Sequence, residues 1–277
     1  IFKIILFCFV SSCALYARQA LVFLPISYFL YLFFNKANKN TIITSIISFS
    51  IFAIPSILLF LIWGSIFDTK NQGPGTFFGW WINYKHLLIN IPILLSFFGF
   101  YLLPMLIIDF FHSGIKNFIK SYSKSFLFAF IIFIILWKIN LLNYLGNYTI
   151  GGGAILKLNY LIEKNNFLLL LFFSSIGFSI LAKIIRDDFK NNFVILLPIF
   201  VIYCFPRVLG QEYVEPLILI IFFLFLKTDL QKKFFQNPNV SNLIFIFYFA
   251  IFLSGSIYFK HFMFSSYDKW LNFLGVN

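Results

Sequence analysis

Charged side chains are scarce in this sequence and acidic ones scarcest, with nine Asp and Glu among 277 residues against 21 Lys and Arg. At 11% charged and 61% hydrophobic residues, a water-soluble domain of this length is excluded, because too little polar side chain remains to cover its surface. Cysteine is equally sparse. Cys8, Cys13 and Cys204 fall in apolar stretches without metal-ligand spacing and read as small hydrophobes. The three histidines, His86, His112 and His261, lie on separate loops, which argues against a histidine metal site or a catalytic triad. Nucleophile-elbow, zincin and P-loop motifs are missing, and Gly151-Gly152-Gly153 lacks the Lys-Ser/Thr partner of a phosphate loop. No metal or other cofactor is indicated.

What is present is a succession of apolar runs, such as Phe126–Trp137, Phe167–Leu181 and Leu243–Phe259, separated by short polar stretches. Helices pair all their backbone groups internally, so runs of this kind suit a bilayer. The fold class predicted is an all-α polytopic transmembrane bundle, with residues 1–277 forming one transmembrane domain. Nine spans are placed at about 3–16, 20–34, 42–63, 87–108, 125–142, 166–182, 193–206, 214–226 and 243–259. The chain opens on Ile-Phe-Lys inside an apolar segment, with neither a Met nor a signal-peptide pattern, and is expected to be a fragment of a longer protein.

Alternating the spans puts links 35–41, 109–124, 183–192 and 227–242 on one face, and these carry most of the densely spaced Lys and Arg. The positive-inside rule makes that face cytoplasmic and the aromatic, Gly-rich loops 64–86 and 143–165 exoplasmic. The net charge of +12 is thus assigned to cytoplasmic links and anionic lipid, with no nucleic-acid partner. Asp109 is expected to mark the membrane interface, and Asp187-Asp188 to be a solvated ion-pair cluster with Lys183 and Arg186.

Two polar turns interrupt unusually short apolar spans. The spans around 207–215 have about 13 or 14 residues and reach roughly 20 Å, against a core of roughly 30 Å. The spans flanking Arg18-Gln19 are similarly short. Both exoplasmic turns would then sit below the surface, where polar backbone needs a protein-lined cavity and binding sites tend to form; local thinning of the bilayer is the alternative. Arg18 can clamp a lipid-linked phosphate by a bidentate contact or simply snorkel to the headgroups. In Arg207, Gln211, Glu212, Tyr213 and Glu215, a carboxylate can act as general base, hold sugar hydroxyls or bind a divalent cation. A structural Arg207–Glu ion pair is the alternative. Asp68 begins the loop 64–86 and can orient an acceptor or remain solvated.

Three features occur in an order that resembles a known family. Arg18-Gln19 opens an apolar span, Trp63-Gly64 leads into Asp68-Thr69-Lys70-Asn71, and Gly210-Gln211-Glu212-Tyr213 precedes a short span. The arrangement is similar to the C-terminal half of the dolichyl-phosphate-glucose α-1,2-glucosyltransferases and, more broadly, to the GT-C class of polyprenol-dependent glycosyltransferases. In that family an Arg-Gln-Thr-Asn motif, a Gly-Asp-Lys-Ser loop and an Asn-Arg-His-Tyr motif follow one another. Arg18, Gln19 and Tyr213 match, and Asp68 and Lys70 match with Thr69 taken as an insertion, whereas Ala20, Leu21, Gln211 and Glu212 depart from the pattern.

The expected location is integral to a membrane with several passes, the bacterial inner membrane in preference to the endoplasmic reticulum, and the resemblance implies the partners. These would be a polyprenyl-phosphate sugar and a glycan or lipid-linked acceptor. Arg18, Gln19, Arg207, Gln211 and Tyr213 would bind substrate, while Glu212, Glu215 and Asp68 would serve the chemistry. A polysaccharide polymerase or ligase of the O-antigen type and a multi-pass transporter or flippase are the rival readings.

Overall fold

In the computed structural model, which describes residues 2–17, 19–63, 84–138, 168–204 and 211–261, every regular element described is helical. The helices are α1 (Phe2–Ala17), a 3₁₀ turn (Gln19–Val22), α2 (Phe23–Phe34), α3 (Lys39–Trp63), α4 (Tyr84–Tyr101), α5 (Leu103–Lys138) and α6 (Leu168–Asp187). There follow α7 (Phe189–Cys204), α8 (Gln211–Ile220) running into a π-helical turn (Ile221–Phe225), α9 (Asp229–Gln236) and α10 (Pro238–His261). Among the described residues, three helices are long and apolar enough to cross a membrane: Leu103–Lys138, Leu168–Asp187 and the stretch Pro238–Ile257 of α10. Their outward side chains are apolar too. Leu127, Phe128, Ile131 and Ile135 on α5, and Leu243, Ile246, Phe247 and Ile251 on α10, are exposed, as lipid-facing residues are and as water-facing ones seldom are.

The chain divides into two compact units, Ile1–Leu87 with Lys190–Arg207, and Leu88–Phe189 with Val208–Asn277. In the first, α1 packs along α3 around the rings of Phe7, Tyr28, Phe29 and Phe49, with Phe7 and Tyr28 centroids 4.8 Å apart. The Tyr28 and Ser45 hydroxyls lie 3.2 Å apart, joining α2 to α3. Helix α2 stops in a Schellman turn: Ala37 N–H donates to Leu32 O at 3.0 Å, and Lys36 takes the left-handed position with φ 48°. The side chain of Asn38 then accepts from Asn40 N–H and caps α3.

In the second unit α6 lies against α4 at a separation only small residues allow. A Cβ built on Gly177 would stand 1.9 Å from the Leu95 carbonyl oxygen, and one on Gly99 would stand 2.1 Å from that of Phe173. Ser174 Oγ donates across the same seam to Pro92 O at 2.6 Å. Helix α5 also packs on α6, and α10 rests on the end of α4, where Tyr248 donates to Phe100 O at 2.9 Å.

Two stretches expected to be links are largely helical. Residues 109–124 belong to α5, which bends sharply at Gly114 (φ 71°, ψ 159°), and residues 183–187 complete α6. Gly114 is needed there because a side chain is rarely tolerated at that φ.

Candidate functional site

The bend at Gly114 has a chemical consequence. In a straight helix, Asp109 and Tyr122 would be separated by a rise of about 20 Å. Here the Tyr122 hydroxyl donates to Asp109 Oδ2 at 2.6 Å, so residues 115–138 turn back past residues 103–113. Ser113 Oγ donates to Asp109 Oδ1 at 2.7 Å, from the last turn before the bend. Lys183, near the end of α6, donates to Oδ2 at 3.1 Å, and its ammonium stands 5.3 Å from the Tyr122 ring centroid. Lys233 of α9 donates to Oδ1 and, at 2.6 Å, to Ser113 Oγ. The Asp109 side chain is only 1% exposed. Two ammonium groups and two hydroxyls fill its acceptor positions, a donor set that suits a buried carboxylate anion.

A second carboxylate sets the orientation of α9. Thr228 caps that helix, its Oγ1 accepting from Leu230 N–H at 3.3 Å while Gln231 accepts from Thr228 N–H in a reciprocal capping box. Asp187 Oδ2 accepts from Thr228 Oγ1 at 2.6 Å and from Asp229 N–H at 2.9 Å, which places an anion at the positive end of α9. Gln231 Nε2 donates to Phe222 O, meeting a carbonyl of the π-helical turn. On the outer side Lys232 donates to Asp229 at 2.7 Å, holding that carboxyl below the usual range and its own ammonium above it. Leu230 and Phe234 are buried, so α9 turns an apolar side inward.

These contacts correct two expectations. Asp109 does not merely mark an interface; it joins α5, α6 and α9. Lys183 pairs with Asp109 rather than with Asp187, and Asp187, although exposed, acts as part of the cap of α9. The sequence held one signal for the first point, since Asp109 is the single acidic residue between Asp68 and Glu163.

Of the residues assigned to substrate and catalysis, Arg18, Asp68 and Arg207 lie outside the described residues. Gln19 opens the 3₁₀ turn, and Gln211, Glu212 and Tyr213 form the first turn of α8, each described by its backbone alone. Glu215 follows in α8 and is half-buried; Glu212 and Glu215 thus stand three apart in one helix. On the helices flanking Arg18, Ser12 and Ser27 are buried with hydroxyl oxygens that have no partner among the described residues. No group of three His, Cys, Asp or Glu able to hold a metal ion occurs among the described residues.

Helices and a carboxylate clasp define a helical protein with membrane-length apolar segments. Comparison with family models, with curated proteins and with solved structures gives no match.

Proposed function

We propose that this chain is a nine-span membrane protein of the GT-C type that moves a sugar from a polyprenyl-phosphate donor to an acceptor on the exoplasmic face. The observation that carries the reading is the length of the helices beside its two motif turns. Helix α2, after Arg18-Gln19, has 12 residues, with 4 more in the 3₁₀ turn that leads into it. Helix α7 has 16 residues; α8 has 10, with 5 more in the π-helical turn, beyond residues 205–210. At 1.5 Å per residue each falls short of a bilayer core of roughly 30 Å. Short paired spans of this kind favour a polar site recessed in the membrane. The hydroxyls of Ser12 and Ser27, which have no partner among the described residues, support a polar environment near the first turn.

Orientation gains support from the Asp109 clasp. It gathers Asp109 and Tyr122, Lys183, and Lys233 at one level, and those residues come from three of the four links that alternation assigns to the basic face. The bacterial inner membrane fits this arrangement.

In this reading Arg18, Gln19 and Arg207 hold the donor phosphate, and Gln211 and Tyr213 hold sugar hydroxyls. Glu212 or Glu215 takes the proton of the acceptor hydroxyl, with Asp68 orienting the acceptor. The acceptor oxygen bonds to the anomeric carbon as the bond from that carbon to the phosphate oxygen breaks. The lipid phosphate leaves with the electron pair, stabilised by the arginines. The test is sugar transfer from radiolabelled polyprenyl-phosphate hexose by the full-length protein in proteoliposomes. Transfer by the parent is expected, with a loss of about a hundredfold or more in Arg18→Ala and Glu212→Ala. Full activity in both variants would overturn the assignment, and no transfer from any hexose donor would move the weight to a polysaccharide polymerase.

A further inference from the structure

Between the bend at Gly114 and its apolar stretch, α5 carries Lys116, Lys120 and Lys124, four residues apart and therefore in one stripe along the helix. All three are exposed, and none forms an ion pair among the described residues. No acidic residue occurs from Phe110 to Ile162, so nothing nearby in sequence offsets the stripe. Arg186 adds a fourth cation by donating to Ser121 O at 2.7 Å on the same stretch.

Beside the stripe the helix is apolar and uncovered. Ile115 is 61% exposed and Ile119 is 53% exposed. In a helix of 3.6 residues per turn these two form a row of their own, about 100° round the helix from Lys116 and Lys120 and on the side nearer the buried Tyr122, yet both are uncovered. Two outward isoleucines beside three unpaired lysines would suit neither water nor a hydrocarbon core, but the pattern fits the boundary between them.

Length places that boundary independently. At the other end of the helix, Trp137 and Lys138 lie together, the ammonium 4.9 Å from the ring, as a residue pair does at a headgroup layer. A hydrocarbon core of roughly 30 Å takes about 20 helical residues, and counting back from Lys138 reaches residue 118. Lys116, Lys120 and Lys124 straddle that depth, and Lys124 reaches the headgroups by extending its stem.

We propose that the outward face of residues 115–124, with Lys116, Lys120 and Lys124 as its ligands and Arg186 beside them, binds the phosphate headgroups of anionic phospholipids. The proposal rests on α5 spanning the membrane and not on the transfer chemistry. Its occupant is the surrounding leaflet, because apolar Ile115 and Ile119 are uncovered in the row beside the lysines and a free anion would leave them bare.

The test is native mass spectrometry of the full chain released from micelles containing phosphatidylglycerol or phosphatidylcholine. The parent is expected to retain phosphatidylglycerol preferentially, with affinity falling as salt rises. Lys116→Gln, Lys120→Gln and Lys124→Gln combined should weaken that binding about a hundredfold, at about fivefold per charge. The corresponding Lys→Arg triple variant should retain it. No preference of the parent for the anionic lipid, or undiminished preference in the Gln triple variant, would overturn the proposal. So would displacement of the lipid by inorganic phosphate alone. Should the Gln variant fail to fold, the parent's lipid preference and its salt dependence decide. Flotation of the parent with phosphatidylcholine vesicles checks the span separately: failure there defeats the membrane reading, whereas flotation without lipid preference defeats only this inference.

Discussion

Asp109 is the residue on which most depends in the second unit. Replacing it with Asn keeps the shape but leaves Lys183, 12% exposed, and Lys233, 25% exposed, facing each other without the carboxylate that both bond. Uncompensated buried charge is costly, so Asp109→Asn should destabilise the protein by on the order of 3 kcal/mol. Lys233→Met should cost less than Lys183→Met, because its side chain is the more exposed of the two. Replacing Asp109, Lys183 and Lys233 together by Leu should recover most of the loss, since a neutral apolar cluster carries no desolvation penalty. Melting of the detergent-solubilised variants by intrinsic fluorescence checks the order; an unchanged midpoint for Asp109→Asn would defeat it. Little of this site was legible beforehand. Its members lie as far apart as Asp109 and Lys233, and each alone resembles an ordinary residue at the end of a span. A lone carboxylate in a lysine-rich link was the signal available, and only the bend at Gly114 gives it meaning.

At the scale of helices, the contact of α4 with α6 is fixed by what is missing from two side chains. Gly177→Ala introduces a Cβ whose nearest neighbour is the Leu95 carbonyl oxygen, and backbone of a packed helix cannot turn aside as a flexible side chain does. The helices must separate, weakening the Ser174 bond to Pro92 and the packing along the seam. We expect Gly177→Ala and Gly99→Ala each to destabilise by about 3 kcal/mol, the upper end of overpacking costs. Gly255→Ala in α10 is the control: nothing among the described residues lies within 4 Å of its added Cβ, so helix propensity alone acts and the change is neutral to slightly stabilising. Circular dichroism melts of the three variants separate the effects, and a Gly177→Ala protein as stable as Gly255→Ala would overturn the account. The helices were legible because apolar runs are a local property of sequence. Their partners were not: Ser96 and Gly99, and Ser174 and Gly177, share a three-residue spacing of small residues, but spacing alone does not say which helix they meet. The bend in α5 was anticipated only as a link at 109–124, since hydropathy detects the loss of apolar character and not the helix that persists through it.

At the scale of the whole molecule, the polar segments divide between the two sides of the membrane. The clasp joins residues 109–122 to Lys183 and to Thr228–Lys233 through direct bonds, and three stretches so joined cannot lie on opposite faces of a bilayer roughly 30 Å thick. A nine-span chain satisfies this because two spans separate each stretch from the next. On the proposed nine-span topology residue 36 is expected on the same face as residue 116, and residues 71 and 147 on the other. Single cysteines introduced at Lys36, Lys116, Asn71, Asn147 and Lys232, after Cys8, Cys13 and Cys204 are replaced by Ala, test the assignment with a membrane-impermeant maleimide on intact cells. Asn71→Cys and Asn147→Cys should label from outside, whereas Lys36→Cys, Lys116→Cys and Lys232→Cys should label only after permeabilisation. Opposite labelling of Lys116→Cys and Lys232→Cys would contradict the clasp itself. Labelling of Lys36→Cys from outside, with Lys116→Cys protected, would instead leave the clasp intact and change the number of spans between residues 42 and 108. The two recessed turns would then open to different faces, and a single exoplasmic transfer site could not be built from both.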